Sequence, residues 1–113
     1  MQLEALRIYL AIEPVDMRLG IDGLSRLVQD HLKQNIGNGC CYVFSNRSRN
    51  RLKALLWDGT GVWLCQRRLH LGRFTWPDQT SALFELSKAQ WEWLTKGVNW
   101  QRLDAKPAYD WRV

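Results

Sequence analysis

Two β-rich runs, RLKALLWD from Arg51 and GVWLCQRRL to Leu69, flank the turn Asp58-Gly59-Thr60-Gly61. Asp-Gly between segments of alternating character is a strong hairpin signal, so this part of the chain is committed to an antiparallel pair. Upstream, Cys40 to Ser45 reads as a further strand, joined through the turn Asn46-Arg47-Ser48-Arg49-Asn50. The three make a meander. Side chains two apart share a face, so Arg51, Lys53, Leu55 and Trp57 lie on one side, and Leu52, Ala54 and Leu56 on the other. The second set reads as the core side. A three-residue loop, Asp58-Gly59-Thr60, pairs Trp57 with Gly61, buries Val62 and Leu64 with that core side, and gives an outer face of Arg51, Lys53, Arg67, Trp57 and Trp63. A four-residue loop turns every side chain of the last strand over. The three-residue register is preferred because it buries the aliphatics.

The remaining elements follow from local signals. Leu6 to Ile12 (LRIYLAI), closed by Pro14, reads as a first strand. Asp22 is placed to cap a helix to Asn35, with Leu24, Leu27, Val28 and Leu32 on one face and Gly37 and Gly39 stopping it. His31 reads as a partly buried residue at the edge of that stripe. A short extended segment, Arg73 to Trp76, ends at Pro77. Ser87-Lys88-Ala89-Gln90 is a capping-box pattern ahead of a helix that carries Trp91 and Leu94 and stops at Gly97. The last fifteen residues read as irregular. The fold class expected is α+β: a single small domain, residues 1–113, with an antiparallel β-meander packed by its Leu52, Ala54, Leu56, Val62 and Leu64 face against the Asp22 helix.

Charge is distributed unevenly over this frame. From Cys41 to Trp76 there are seven basic residues, Arg47, Arg49, Arg51, Lys53, Arg67, Arg68 and Arg73, against the single acid Asp58. The rest of the chain has nine basic and ten acidic residues. Such segregation makes a local field that attracts a polyanion, and nucleic acid is the first candidate. Guanidinium forks grip phosphate oxygens, and the rings of Trp57 and Trp63 could stack on exposed bases; the plainer reading is that both tryptophans pack in the core. Cys40, Cys41 and Cys65 show no Cys-x-x-Cys pair, and neither His31 nor His70 stands at ligand spacing, so no metal site and no cofactor are expected. No apolar run is long enough to cross a bilayer, and MQLEALRIYLAIEP lacks the marks of a signal peptide, so the expected location is cytoplasmic, away from membranes.

Several motifs in fixed order carry a family resemblance: VDMRLGIDGLSRLV (Val15 to Val28), LKALLWDGTG (Leu52 to Gly61), QRRLHLGRFTWP (Gln66 to Pro77) and LTKGVNW (Leu94 to Trp100). Together they resemble the small accessory protein, TnpB-type or second-reading-frame product, of the insertion-sequence 66 family of bacterial transposable elements, which is distinct from the RNA-guided nucleases sharing that label. Arg67-Arg68-Leu69-His70 stands where the family pattern has Lys-Arg-Leu-Glu, which makes this patch more basic. The resemblance implies a protein acting beside a separate, longer transposase encoded by the same element.

Transposase chemistry needs carboxylates gathered around metal ions, and Asp16, Asp58, Asp78, Glu85 and Glu92 do not read as such a group. The expectation is therefore a non-enzymatic accessory of DNA transposition that binds DNA, or the transposase–DNA complex, through the basic hairpin. The alternative is a protein-interaction module that docks on the transposase without touching DNA; a metal-dependent nuclease is a distant third. Two further groups are singled out. Asp16 and Arg18 read as a structural pair that either braces its loop or reaches the Asp58 turn, and Asp58, Gly59 and Gly61 as the turn that sets the hairpin.

Overall fold

Every residue from Cys41 to Ser45 is buried, a pattern that requires strands on both sides and cover on both faces. The computed structural model, which describes residues 7–104, supplies all of these. Its elements are β1 (Ile8–Ala11), α1 (Ile21–Asp30), a 3-10 turn (Ile36–Asn38), β2 (Cys41–Ser45), β3 (Arg51–Trp57), β4 (Val62–Arg68), β5 (Leu83–Leu86), α2 (Lys88–Thr95) and α3 (Trp100–Asp104). One five-stranded sheet runs in the order β4-β3-β2-β1-β5. The β2-β3-β4 meander is antiparallel, β1 lies parallel to β2, and β5 returns antiparallel on the far side of β1. The α+β class holds, with a mixed sheet in place of a pure meander.

Two apolar layers explain the register. On one face, Leu24 and Val28 of α1 pack on Tyr42, Phe44 and Leu55, with Val62, Leu64, Met17 and Leu19 at the margin. On the other, Ile8, Leu10, Cys41, Val43, Leu52, Ala54 and Leu56 pack against Phe74, Leu94 and Trp100. In β3–β4, Trp57 faces Val62, Leu56 faces Trp63, and Leu52 faces Arg67. The loop is therefore the four-residue one, and the three-residue register is corrected. Val62 and Leu64 lie on the α1 face with Leu55, while the Leu52, Ala54 and Leu56 face packs against the C-terminal elements and not against α1. The slip left no aliphatic stranded in water because both faces are covered. Burial alone could not select between the registers.

Helix boundaries differ from expectation for backbone reasons. Gly20, and not Asp22, is the N-cap of α1, and Asp22 lies in the first turn, where a carboxylate complements the helix dipole. The helix ends at Asp30, ahead of Gly37, because Lys33 turns the chain with φ 56°. His31 at its C-cap is exposed. For α2 the capping box forms: Ser87 accepts from the Gln90 amide at 3.1 Å, and Gln90 Oε1 accepts from the Ser87 amide at 2.7 Å. Gly97 then leaves the helix with φ 74°.

Residues 73–76 form no strand. They cross the second face as a strap, with the Phe74 amide donating to the Arg49 carbonyl at 2.7 Å and the Trp76 indole to the Ala11 carbonyl at 2.9 Å. The Trp100 indole ties the same strap from below through the Thr75 carbonyl at 2.7 Å. Residues 100–104, expected to be irregular, are helical because Trp100 is buried against Phe84; the rest of the expected irregular tail, and Leu6, lie outside the described residues. Among the described residues no helix is long and apolar enough to cross a membrane.

Candidate nucleic-acid interface

At the end of the hairpin remote from the Asp58 turn, Arg51 of β3 stands directly opposite Arg68 of β4, with Arg67 opposite Leu52. Strand alternation sends Arg51 and Arg68 to the α1 face and Arg67 to the other, so guanidinium groups rim both sides of the sheet. All three are exposed. A cleft of about 370 Å³ opens there, lined by Met17, Arg51, Leu52, Gln66, Arg67 and Arg68. No acid lines it. Arg67 Nε donates to the Thr95 carbonyl at the C-terminal end of α2, a placement that also suits the helix dipole. Like charges directly across a strand pair are destabilising by roughly 0.2–1 kcal/mol. The ion pairs found among the described residues, Arg7–Glu85 and Arg18–Asp16, do not relieve them.

Two of the predicted contact residues are committed to the fold. Lys53 Nζ donates to the carbonyls of Met17 at 2.7 Å and Leu19 at 2.8 Å, pinning the loop between β1 and α1 to the sheet. Arg49 adopts φ 58° in its turn, donates through Nη2 to the Ile12 carbonyl at 3.0 Å, and lies over the Trp76 ring at 5.0 Å. Burial, the main cause, lowers its pKa. Arg47, in the same turn, and Arg73, on the strap, are exposed.

The register also divides the tryptophans. Trp57 is half-buried and shares the α1 face with Arg51, Lys53 and Arg68, whereas Trp63, 52% exposed, shares the opposite face with Arg67. The single outer face expected of Arg51, Lys53, Arg67, Trp57 and Trp63 does not exist. Asp58 ties the turn instead. Its Oδ1 accepts from the amides of Thr60 and Gly61, each at 2.8 Å, and its Oδ2 from the Trp63 indole at 2.7 Å. These donors hold its carboxyl well below the usual range, the Thr60 amide most strongly. Gly59 takes φ 102°, which a side chain would strain.

Asp16 and Arg18 form a local, exposed pair. Arg18 Nη2 donates to Asp16 Oδ2 at 2.7 Å, and the Arg18 amide donates to Oδ1 at 2.9 Å. The Arg18 side chain, first of the causes, lowers the Asp16 carboxyl to about 2. Between them Met17 reaches the arginine cleft, so this loop borders the basic rim. Sequence reasoning missed Met17 and Gln66 as lining residues. It also missed Asn46, whose Oδ1 accepts from the amides of Asn50 and Arg51 at 3.1 Å and shapes the arginine turn. An Asn opening a turn was the available signal.

Fold and site together define a small α+β domain whose distinctive surface is an arginine rim at the free end of a β-hairpin. Residues 6–105 match the profile described as IS66 Orf2 like protein, and the chain belongs to that family. It is 37% identical over 106 residues to the uncharacterized protein y4hO of Sinorhizobium fredii (strain NBRC 101917 / NGR234), covering 94% of this chain and 89% of that one. A second uncharacterized protein of the same strain, y4jC, is 34% identical over 102 residues, covering 90% and 87%. No solved structure matches the chain. Family membership supports an accessory role in transposition.

Proposed function

We infer that the protein is a non-catalytic accessory factor that binds DNA, alone or within the transposase–DNA complex, through Arg51, Arg67 and Arg68, with Arg47 and Arg73 extending the contact. The observation that carries this reading is the cleft in which Arg51 and Arg68 oppose each other with no acid and no ion-pair partner among the described residues. A phosphodiester supplies the missing counter-charge, and planar guanidinium groups match its oxygens. The non-enzymatic part rests on the acids: Asp16 is held by Arg18 and Asp58 by its own turn. Among the described residues no three His, Cys, Asp or Glu side chains gather so as to hold a metal ion.

With Arg49 and Lys53 committed internally, about four phosphate contacts are available, so log K for duplex DNA should fall with log salt at a slope of roughly −3.6. Nonspecific affinity should be micromolar or weaker near physiological salt. The test is a fluorescence titration of duplex and single-stranded DNA at several salt concentrations, with Arg51, Arg67 and Arg68 replaced together by Ala. Flattening of the slope by up to ~3 units supports the reading, since each lost phosphate contact removes about one. Absence of salt-dependent binding by the parent ends it. A second reading, docking on the transposase, draws on Leu71, which is 90% exposed in the loop after β4; it predicts capture of the transposase by the parent and by the triple variant alike.

A further inference from the structure

The two edges of the sheet are built differently. β5 has four residues, and its Glu85 is engaged by Arg7. β4 has seven residues, none of them proline or acid, and none is fully buried. Among the described residues it pairs only with β3. Charge, proline and bulges are the usual means of blunting an edge strand, and from Val62 to Gln66 β4 has no charge or proline.

The ladder fixes which backbone groups of β4 are not taken by β3. The Leu69 amide donates to the Asn50 carbonyl at 2.9 Å and the Asp58 amide to the Gly61 carbonyl at 3.0 Å. Hydrogen-bonded pairs alternate along an antiparallel ladder, so Gly61, Trp63, Cys65, Arg67 and Leu69 aim their amides and carbonyls at β3. Val62, Leu64, Gln66 and Arg68 therefore aim theirs outward. These four are the outer edge.

We propose that this edge pairs with β4 of a second copy of the chain, antiparallel, about a two-fold axis at Cys65. Three registers place outward groups opposite outward groups near the strand centre. Centring on Leu64 or on Gln66 uses five residues of each strand; centring on Cys65 uses all seven, with Val62 bonded opposite Arg68 of the second copy and Leu64 opposite Gln66. In that register no arginine meets an arginine. Arg67 faces Trp63 of the second copy twice, on the same side of the sheet as Cys65, and a guanidinium beside an indole is a favourable pair. Both groups are already held: the Trp63 indole by Asp58 Oδ2 at 2.7 Å, and Arg67 by the Thr95 carbonyl. The strand is thus complementary to its own reverse, and the product is a continuous ten-stranded sheet. The proposal does not depend on DNA binding.

The test is sedimentation equilibrium of the full chain over a concentration series under reducing conditions, paired with amide exchange. The expected result is twice the chain mass, with the amides of Val62, Leu64, Gln66 and Arg68 slowed only in the dimer. Gln66→Pro removes an outward amide that β3 does not use, so the monomer should fold while dimerisation weakens by about tenfold or more, the equivalent of two lost hydrogen bonds, one at each symmetric position. Diamide, which takes up the two thiol hydrogens, should join the parent through Cys65 and leave Cys65→Ser uncrosslinked. A monomer at all concentrations overturns the proposal, as does a dimer in which the four outward amides stay fast. Should Gln66→Pro fail to fold, the parent's exchange pattern and the Cys65→Ser cross-linking result still decide.

Discussion

Arg51 and Lys53 sit two residues apart on one face of one strand, yet the fold uses them in opposite ways. Lys53 has turned inward to two loop carbonyls, and Arg51 lines an open cleft opposite another arginine. Arg49 and Arg47 repeat the contrast in the preceding turn, the first bonded to Ile12 and stacked on Trp76, the second exposed. Positive charge counted along a sequence is therefore not the charge offered to a partner. What decides the matter is whether acceptors from another element draw the side chain in from the surface, as they do for Lys53 and Arg49 but not for Arg67, which bonds the Thr95 carbonyl and stays exposed.

That comparison makes a graded set of predictions. The largest effect should come from Lys53→Met, which strips the Met17 and Leu19 carbonyls of a charged donor and should lower stability by about 2–3 kcal/mol in urea unfolding. Arg49→Leu should follow at about 1–2 kcal/mol, through the lost Ile12 bond and the ring contact. Arg51→Ala with Arg68→Ala should leave stability within about 0.5 kcal/mol or raise it slightly, because a like-charge pair is removed. A loss as large as that of Lys53→Met would erase the distinction between committed and available cations.

The finest test concerns the two anions. Both carboxyls are depressed on folding from 3.8, Asp16 to about 2 and Asp58 further than the usual range. A depressed carboxyl stabilises the fold above its unfolded pKa, and that contribution is lost as pH falls through the folded value, here below about pH 4. Asp16 is held chiefly by a cation at the surface and Asp58 by neutral donors, so added salt should raise the Asp16 midpoint and leave that of Asp58 nearly fixed. The Trp63 indole and Arg18 amide resonances, followed by NMR against pH at two salt concentrations, report the two separately.

The sequence made the hairpin, its Asp-Gly turn and the Ser87 capping box legible because each is specified by neighbours within a few residues. β5 was not legible: LFEL is short, and it becomes a strand only because β1 offers an edge. The hairpin register was misread for a related reason. Alternation identifies two faces, and choosing the buried one presumes that the other is wet, whereas here α1 covers one and Phe74, Leu94 and Trp100 cover the other. The commitment of Lys53 was equally hidden, since its acceptors lie 34 and 36 residues away. The exposed arginines were legible as a group, and their separation into two faces was not.

The position of β1 bears on how the chain reaches this state. It is an early segment that pairs on one side with β2 and on the other with β5, joining residues 78 apart where Arg7 meets Glu85. Contacts of that sequence separation close late, because the entropy of the intervening loop must be overcome before they stabilise anything. The β2-β3-β4 meander can assemble from local contacts as the chain is synthesised. β1, however, keeps one side open until Leu86 has left the ribosome, so the folding transition should be slow, should be set by the arrival of β5, and should leave nascent chains exposed to edge-to-edge association until then.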